Sequence, residues 1–366
     1  MIIPAAIALG LWLALWLVPW QPWRCREHLE TMDAPSARDD FTVLVPARNE
    51  VDVIAQTLDG LATAAPNAAV IVIDDESDDG TAEAVRSSGH PHMRLIAGSP
   101  PPPGWTGKLW ALEQGLREVA TPRVLLLDAD IALAPGMVST LERQADAGYG
   151  LVSVLAVPRF AGFWARWLLP AFVYFFKLIY PFALANRSGS RLAAAAGGVV
   201  LVEREALLRA GAFAAWREAI IDDCTLASRL KANGVRCWLG LTHGARSQRR
   251  QGLASIISMV ARSAYVQLGE SPLMLFAATA LMGFAYLLPW AALAWPGPTR
   301  WLGVAAWAVL ALSYVPTLLY YRLNPLQSVF LPVIALAYLA MSWHSALRAW
   351  FGTRSTWKGR RYSSAP

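Results

Sequence analysis

The chain has 366 residues, of which 55% are apolar and 16% charged, with 17 tryptophans and a formal charge of +6. That composition excludes an ordinary soluble enzyme, because the apolar residues are gathered into long uncharged stretches. The positive balance does not mark a nucleic-acid binder. From Arg24 to Glu270 all 26 acidic residues stand against 25 of the 32 basic ones, and the other seven, Arg300 to Arg361, flank apolar segments with no acid among them.

The first stretch, Ile2 to Trp20, carries no charge and ends in Trp-Leu-Val-Pro-Trp. It lacks a basic leader and a small-residue cleavage site, so residues 1–23 are expected to form an N-terminal transmembrane anchor that is not cleaved. Arg24 and Arg26 directly after it favour a cytoplasmic location for the central domain. Cys25, Cys224 and Cys237 are scattered without a CxxC spacing, which fits a reducing compartment and implies neither disulfides nor zinc.

From Phe41 the pattern alternates strand and helix. Phe41–Val45, Val70–Ile73, Met93–Ile96, Val124–Leu127, Leu151–Val157 and Val199–Val202 read as strands. Val51–Ala64, Thr81–Ser87, Leu109–Val119, Arg204–Ala210 and a stretch opened by Asp222-Asp223 read as helices. This alternation predicts an α/β domain over residues 24–270 with a mostly parallel, doubly wound sheet.

Ligands of such sheets bind at the carboxyl ends of the strands, and here every strand end carries chemistry. After the first come Pro46, Arg48 and Glu50, and after the second the acidic run Asp74-Asp75-Glu76-Ser77-Asp78-Asp79. The first acids of that run can accept hydrogen bonds from a base or a ribose; a solvated loop is the plainer alternative. A Gly-x-Gly-x-x-Gly motif is absent, which disfavours dinucleotide cofactors. The loop Pro100–Gly107 leads to Lys108, with Thr106 as a plausible helix cap, so a cation and backbone N–H groups meet where a phosphate could sit. A snorkelling surface lysine is the alternative. The run Val124–Leu127 ends in Asp128-Ala129-Asp130, whose alternation puts both carboxylates on one side. Two such carboxylates repel unless a cation lies between them, and a hard divalent ion, Mg²⁺ or Mn²⁺, suits them, although paired turn aspartates are common.

Residues 159–185 are rich in Phe and Trp with few charges, and predict helices lying in the membrane interface, broken at Pro170 and Pro181. Arg246, Arg249 and Arg250 then form a basic cluster before the helical Leu253–Leu268. Ser271–Thr299, Trp301–Tyr321 and Leu323–Leu347 are each long enough to cross a bilayer. Three crossings would put the basic tail, residues 351–366, outside. Leu323–Trp350, with Pro325 and Pro332, is therefore the candidate re-entrant or interfacial segment within 271–350, and Trp357–Tyr362 is expected on the cytoplasmic side.

Together these motifs resemble a family 2 glycosyltransferase with the nucleotide-diphospho-sugar (GT-A) fold. The matching residues are Val45–Glu50, Val70–Thr81, Asp128-Ala129-Asp130, Gly197-Gly198 with Gly211-Ala212-Phe213, and Asp222-Asp223. The Gly104–Lys108 loop, the closing Trp357–Tyr362 and the membrane segments resemble the hopene-associated and ceramide-glucosyltransferase-like enzymes. The resemblance implies a membrane-bound, inverting enzyme on the cytoplasmic side of the inner membrane, moving a sugar from a UDP-sugar to a lipid hydroxyl. Pro46, Arg48, Glu50 and Asp74 or Asp75 would contact the nucleotide, Lys108 the diphosphate, Asp128 the ribose and, with Asp130, a divalent metal. Asp223 would be the general base, with Gly197, Gly198, Asp222 and Arg262 bordering the acceptor. Processive members carry Gln-x-x-Arg-Trp where this chain has Met259-Val260-Ala261-Arg262-Ser263, which argues against a polysaccharide synthase. That enzyme, a catalytically silent lipid-binding protein and a nucleotidyltransferase are the rival expectations.

Overall fold

The computed structural model describes residues 1–352 and, as backbone, the antiparallel pair Ser355–Trp357 and Arg360–Tyr362. The expected contact of Trp357–Tyr362 with the domain or with headgroups rests on side chains outside the described residues. The chain opens with α1 (Ile2–Leu17) and the short β1 (His28–Leu29). The α/β unit comes next: β2 (Phe41–Ala47), α2 (Ile54–Ala64), β3 (Ala69–Asp74), α3 (Thr81–Arg86), β4 (Met93–Ala97), α4 (Gly107–Leu116) and β5 (Arg123–Leu127). It continues through β6 (Ile131–Leu133), α5 (Met137–Asp146), β7 (Leu151–Val157), α6 (Phe163–Ile179), α7 (Phe182–Ala185), β8 (Val199–Glu203) and α8 (Arg204–Arg209). Then come α9 (Asp222–Ala232), β9 (Cys237–Ser247), α10 (Leu253–Gln267), α11 (Pro272–Met282), α12 (Leu288–Ala292), α13 (Pro298–Tyr320) and α14 (Leu331–Trp350).

The apolar runs become strands because they are buried on both faces; all seven residues of β2 are inaccessible. The sheet order is β1-β9-β7-β8-β5-β2-β3-β4, with β6 attached to β9. Neighbours are parallel except β8, which runs antiparallel to both β5 and β7, and β6 against β9. One face packs on α2 and α5 through Leu58, Leu61 and Leu141, and the other on α4, α8 and α9 through Leu109, Leu112, Leu207 and Leu230. Each buried leucine contributes about 1.5–3 kcal/mol, so the two-sided core fixes the strand ends that carry the polar loops. This is the expected mostly parallel, doubly wound sheet.

Besides the short β1 and β6, two longer elements went unpredicted, α5 and the eleven-residue β9. One expectation is corrected: Pro170 does not break its helix. α6 runs unbroken through it from Phe163 to Ile179 and stops only before Pro181. The proline removes one hydrogen bond to the Arg166 carbonyl, and the burial of Leu168, Leu169, Ala171 and Val173 on either side offsets that loss.

Among the described residues three helical segments are long and apolar enough to cross a membrane: Pro272–Ala292, Pro298–Tyr320 and Pro325–Trp350. Pro325 and Pro332 stand at the starts of a 3₁₀ turn and of α14, where a missing N–H costs nothing, so the last segment stays helical. α1 is shorter and lies along α13, with its Trp12 indole donating to the Ala285 carbonyl at 2.7 Å.

The bundle is tied to the α/β unit through Lys177 of α6, which is 1% exposed. Its ammonium donates to the Arg24 carbonyl at 3.2 Å and the Thr317 hydroxyl at 2.9 Å, and lies 3.1 Å from Cys25 Sγ. Lys177→Met keeps the packing and strands these acceptors, at about 1–3 kcal/mol each. The variant should unfold several degrees below the wild type in the same detergent, as read by the loss of tryptophan fluorescence on heating. An unchanged midpoint would show that the junction does not depend on this cation.

Candidate active site

β5 runs into the turn Asp128–Asp130 and reverses at once into β6. The turn is pinned by Ile131 N–H donating to the Asp128 carbonyl and by Asp128 N–H donating to the Gly198 carbonyl, both at 3.0 Å. Both carboxylates open on a cleft of about 520 Å³ at the carboxyl ends of β2 and β5. Pro46 and Glu50 line it from the end of β2, Thr106 and Lys108 from the start of α4, and Ala219, Ile220 and Asp222 from the approach to α9. The lining is completed by Arg249 and Gln251 after β9, then Ser255, Ser258, Met259 and Arg262 on α10. That i, i+3, i+4, i+7 spacing is one helical face, and the remainder of α10 packs on α14 and α6 of the membrane-length bundle.

The charges are paired across the cleft. Lys108 Nζ lies 2.9 Å from Asp128 Oδ1 and 3.3 Å from Asp222 Oδ2. Burial alone would lower the Lys108 ammonium, but Asp128, Asp222 and Asp223 together hold it above the usual lysine range. Asp128 moves up, first because it is buried, and Asp130 and Asp222 add repulsion that Lys108 only partly offsets. Arg249 donates to both oxygens of Glu50, at 2.7 and 2.8 Å, and its Nε is 3.5 Å from Asp130. Ser247 donates to Asp130 at 2.6 Å. The loop after β9 therefore latches onto both the first strand end and the carboxylate pair.

Asp223 sits behind this cleft in a small recess that it shares with Lys108, Gly197 and Asp222. Its Oδ2 accepts the Gly197 N–H and its Oδ1 the Cys224 N–H, both at 2.8 Å. A Cβ on Gly197 would stand 3.3 Å from both Asp223 Oδ2 and Lys108 Nζ, so the glycine lets backbone and carboxylate meet. Burial, then the Asp222 charge, push Asp223 up to about 6, against the pull of Lys108 and the two N–H donors.

Of the residues expected from the sequence, the structure gathers Pro46, Glu50, Lys108, Asp128, Asp130, Asp222 and Arg262 on the cleft, with Gly197 and Asp223 behind it. A Cβ on Gly198 would come 4.0 Å from Asp128 Oδ2, which puts that glycine at the cleft floor. Arg48, Asp74 and Asp75 stand beside the cleft and do not line it. Arg48 donates to the Asp75 carbonyl, Asp75 is fully buried, and Asp74 Oδ1 accepts the Ser77 N–H at 3.3 Å. Asn49 and Glu76, with φ of 51° and 56°, buckle these two loops, which are tied by Asn49 N–H to Ser77 Oγ and by Asp78 N–H to Asn49 Oδ1. Thr106 is the N-cap of α4 as expected, but its side chain makes no capping bond. Sequence reasoning missed Ser247, Gln251 and the role of Arg249.

The donor set suits a hard divalent ion. Asp128 and Asp130 face the same cleft, and Asp128 is crowded by two further negative charges that a cation would relieve. No group of three His, Cys, Asp or Glu side chains forms a metal cage among the described residues, so the other ligands would have to come from water or a bound phosphate.

Comparison with known proteins gives the lineage. A family model described as "Glycosyltransferase like family 2" matches residues 37–265, more than half of the chain. The 4,4'-diaponeurosporenoate glycosyltransferase of Staphylococcus aureus strain N315 is 32% identical over 132 residues, which is 35% of each chain. The same enzyme from strain USA300 is 33% identical over 117 residues, 31% of each. The chain thus matches about a third of the length of these curated relatives. Among solved structures, a mannosyltransferase from Pyrobaculum calidifontis in complex with GDP-Man and Mn²⁺ superposes with a TM-score of 0.56 over 95% of this chain and 99% of that one, at 21% identity. At that identity the likeness speaks for the fold, which is GT-A. With a family match over more than half its length and this sheet, the chain belongs to the glycosyltransferase-like family 2.

Proposed function

We propose that the chain is a membrane-bound, inverting glycosyltransferase that moves a sugar from a UDP-sugar to a hydroxyl of a lipid acceptor, of hopanoid or ceramide kind. The observation that carries this reading is the make-up of the cleft: a carboxylate pair and Lys108 at the strand ends on one side, and on the other a helix whose back is part of the membrane-length bundle. A polar donor and an amphiphilic acceptor would meet there. The curated relatives support a lipid-like acceptor, since their name specifies a carotenoid acid. The cation-flanked first segment supports a cytoplasmic catalytic domain at the inner membrane.

In this reading Pro46 and Glu50 hold the nucleoside, with Arg48, Asp74 and Asp75 shaping the loops beside them, and Lys108 and the start of α4 hold the diphosphate. A divalent ion held by Asp128 and Asp130 would offset the charge that grows on the departing diphosphate. Asp223 takes the proton from the attacking hydroxyl, and its N–H donors fix its orientation. One carboxylate on the attacking side gives a single displacement and inversion at the anomeric carbon. Mass spectrometry of membrane lipids from cells with and without the chain tests the reading: one added hexose on one lipid class supports it. A long polymer points to a processive synthase, and released pyrophosphate to a nucleotidyltransferase.

Arg249 supplies a further check. It holds a positive charge beside Asp130 where a metal would bind, so it competes with that metal. Arg249→Ala should bind Mn²⁺ several-fold more tightly in the absence of nucleotide, on the order of 1 kcal/mol for a partly exposed pair. Calorimetric titration with MnCl₂ reads this directly, and weaker binding would remove Arg249 from the metal's place.

A further inference from the structure

The membrane-length segment Pro272–Ala292, made of α11 and α12, leaves the α/β unit directly after α10. Its near end is marked by Leu275, which packs with Tyr265 in the last turn of α10, and its far end by Ala292. α13 begins at the far end. A Cβ on Gly303 would stand 2.8 Å from Ala292 Cβ and from the Pro289 carbonyl oxygen, and the Trp307 ring meets the Trp290 ring edge-on at 5.8 Å. α13 finishes at the near end, where the Tyr320 ring stacks on His243 of β9 at 4.3 Å. These two segments are an antiparallel helical hairpin.

α14 breaks the alternation. Phe175 joins its Tyr338 to Tyr286, with ring centroids 4.9 and 5.8 Å away. The Trp343 indole donates to the Thr279 hydroxyl at 2.9 Å, and Ala346 packs with Leu275 and Tyr265. Last comes Trp350, whose indole donates to the Tyr265 hydroxyl at 3.0 Å. Along α14 the partners thus run backwards, from Tyr286 through Thr279 to Leu275, toward the near end. α14 therefore points the same way as α13, which precedes it, and the chain between them has to climb back. Val329 marks the climb, because its carbonyl accepts the Trp307 indole at 2.9 Å. Trp307 lies well up α13 from Tyr320, by about 20 Å along the axis. The 3₁₀ turn Pro325–Phe330, with a rise of about 2 Å per residue, helps a short connection cover that distance.

We propose that residues 321–350 form a re-entrant hairpin, which enters and leaves the bilayer through the face that carries the α/β unit and returns the basic end of the chain to the headgroups of that leaflet. The inference rests on the membrane-bound part of the reading above and adds a membrane path to it. The charges agree with this path. From Arg300 onward the chain has seven basic residues and no acid. Arg322 follows the near end of α13, Arg348 lies in the last turn of α14, and Arg354, Lys358, Arg360 and Arg361 come after it, so only Arg300 belongs to the far end. Lys and Arg next to membrane segments collect on the cytoplasmic side, where anionic lipids attract them. The path also sets the height of the cleft. α10 lines it through Arg262 and, one turn on, is bonded at Tyr265 to the end of α14, so this part of the lining lies near headgroup level.

The test uses the full chain in intact cells, with one cysteine added at either end of the bundle and a membrane-impermeant maleimide. W295C sits at the tip between α12 and α13 and F351C just past α14, at side chains that are 44% and 84% exposed. Against the background labelling of the wild type, W295C should react in intact cells and F351C only after the cells are opened. Equal behaviour of the two cysteines, in either sense, would overturn the hairpin, because a full last crossing puts both on one face. A protease-cleavable tag after Pro366 reads the same point without relying on Phe351: it should be cut in inverted membrane vesicles and survive in intact spheroplasts. Cutting in spheroplasts with W295C also labelled there would overturn the proposal. The reverse pattern, with F351C and the tag reached from outside and W295C protected, would uphold the hairpin and sink the cytoplasmic placement of the glycosyl-transfer reading instead.

Discussion

Asp223→Asn should lower kcat by about 10²–10⁴-fold, about 3–5 kcal/mol in barrier. The attacking hydroxyl must lose its proton as the bond to the sugar forms, and Asp223 can take it. Each of its oxygens uses one lone pair on a backbone N–H, from Gly197 and from Cys224, and keeps the other. Those two bonds have a consequence for the variant. An asparagine can accept only one of them and turns its NH₂ toward the other donor, so Asp223→Asn should also lose about 1–3 kcal/mol of stability. The drop in kcat must therefore be measured well below the unfolding midpoint and at saturating donor. Asp223→Gly with added formate is the second arm: recovery of turnover with formate shows that a carboxylate at this place is what the reaction lacks. Asp222→Asn should cost much less turnover, because Asp222 is engaged by Lys108. The product must also carry the inverted anomer; retention would falsify the single displacement whatever the variants do.

The same residue sets an expected pH profile. Asp223 is pushed up to about 6 by burial and by Asp222. A base works only when ionised, so activity should be full above that value and fall about tenfold per unit below it. The limb should be absent from the residual activity of Asp223→Asn. A limb at the same pH in both enzymes would assign it to another group.

Much of this site is written locally in the chain. A buried apolar run that ends in acids, as in Val124–Asp130, needs no tertiary knowledge to be read as a strand end with a ligand-facing turn. The elements that were not legible owe their conformation to distant residues. β9 is the longest strand, yet Gly240, His243 and Gly244 interrupt its apolar pattern. A Cβ on Gly240 would stand 2.7 Å from the Glu27 carbonyl oxygen, and one on Gly244 2.4 Å from Thr31 Oγ1 and 2.6 Å from Met137 Sδ. The glycines are demanded by the segment around β1 and by α5, far away in sequence. Arg249 shows the same limit. In the sequence it is one member of a basic cluster, and its meaning comes from Glu50, 199 residues earlier. α5 is different, because Met137, Val138, Leu141 and Ala145 form a buried stripe at helical spacing that the sequence alone displays. Pro170 shows the converse: a proline breaks an exposed helix more readily than one held on a packed face.

The second large effect is expected at Asp130. With Mn²⁺ present, Asp130→Asn should weaken UDP binding by about tenfold or more, and in EDTA it should change that binding little. Charge sets this expectation. Asp128 is already engaged by Lys108, so the cation-holding capacity of the pair depends on Asp130, whose present partners are a serine hydroxyl at 2.6 Å and an arginine Nε at 3.5 Å. Both can give way to a divalent ion, because Ser247 can rotate its hydroxyl and Arg249 keeps its two bonds to Glu50. An asparagine retains an oxygen in nearly the same place but loses the charge, so the metal-linked part of donor affinity should fall while the nucleoside contacts proposed around Glu50 should stay. On the proposed roles, in EDTA those contacts and Lys108 alone would hold UDP, and Asp130 would add only repulsion against the diphosphate; the variant should then bind UDP as well as the wild type or slightly better. Calorimetric titration of UDP in the two buffers gives four dissociation constants. Equal weakening in both would mean that Asp130 acts on the nucleotide without a metal, and the carboxylate pair would lose its assigned role.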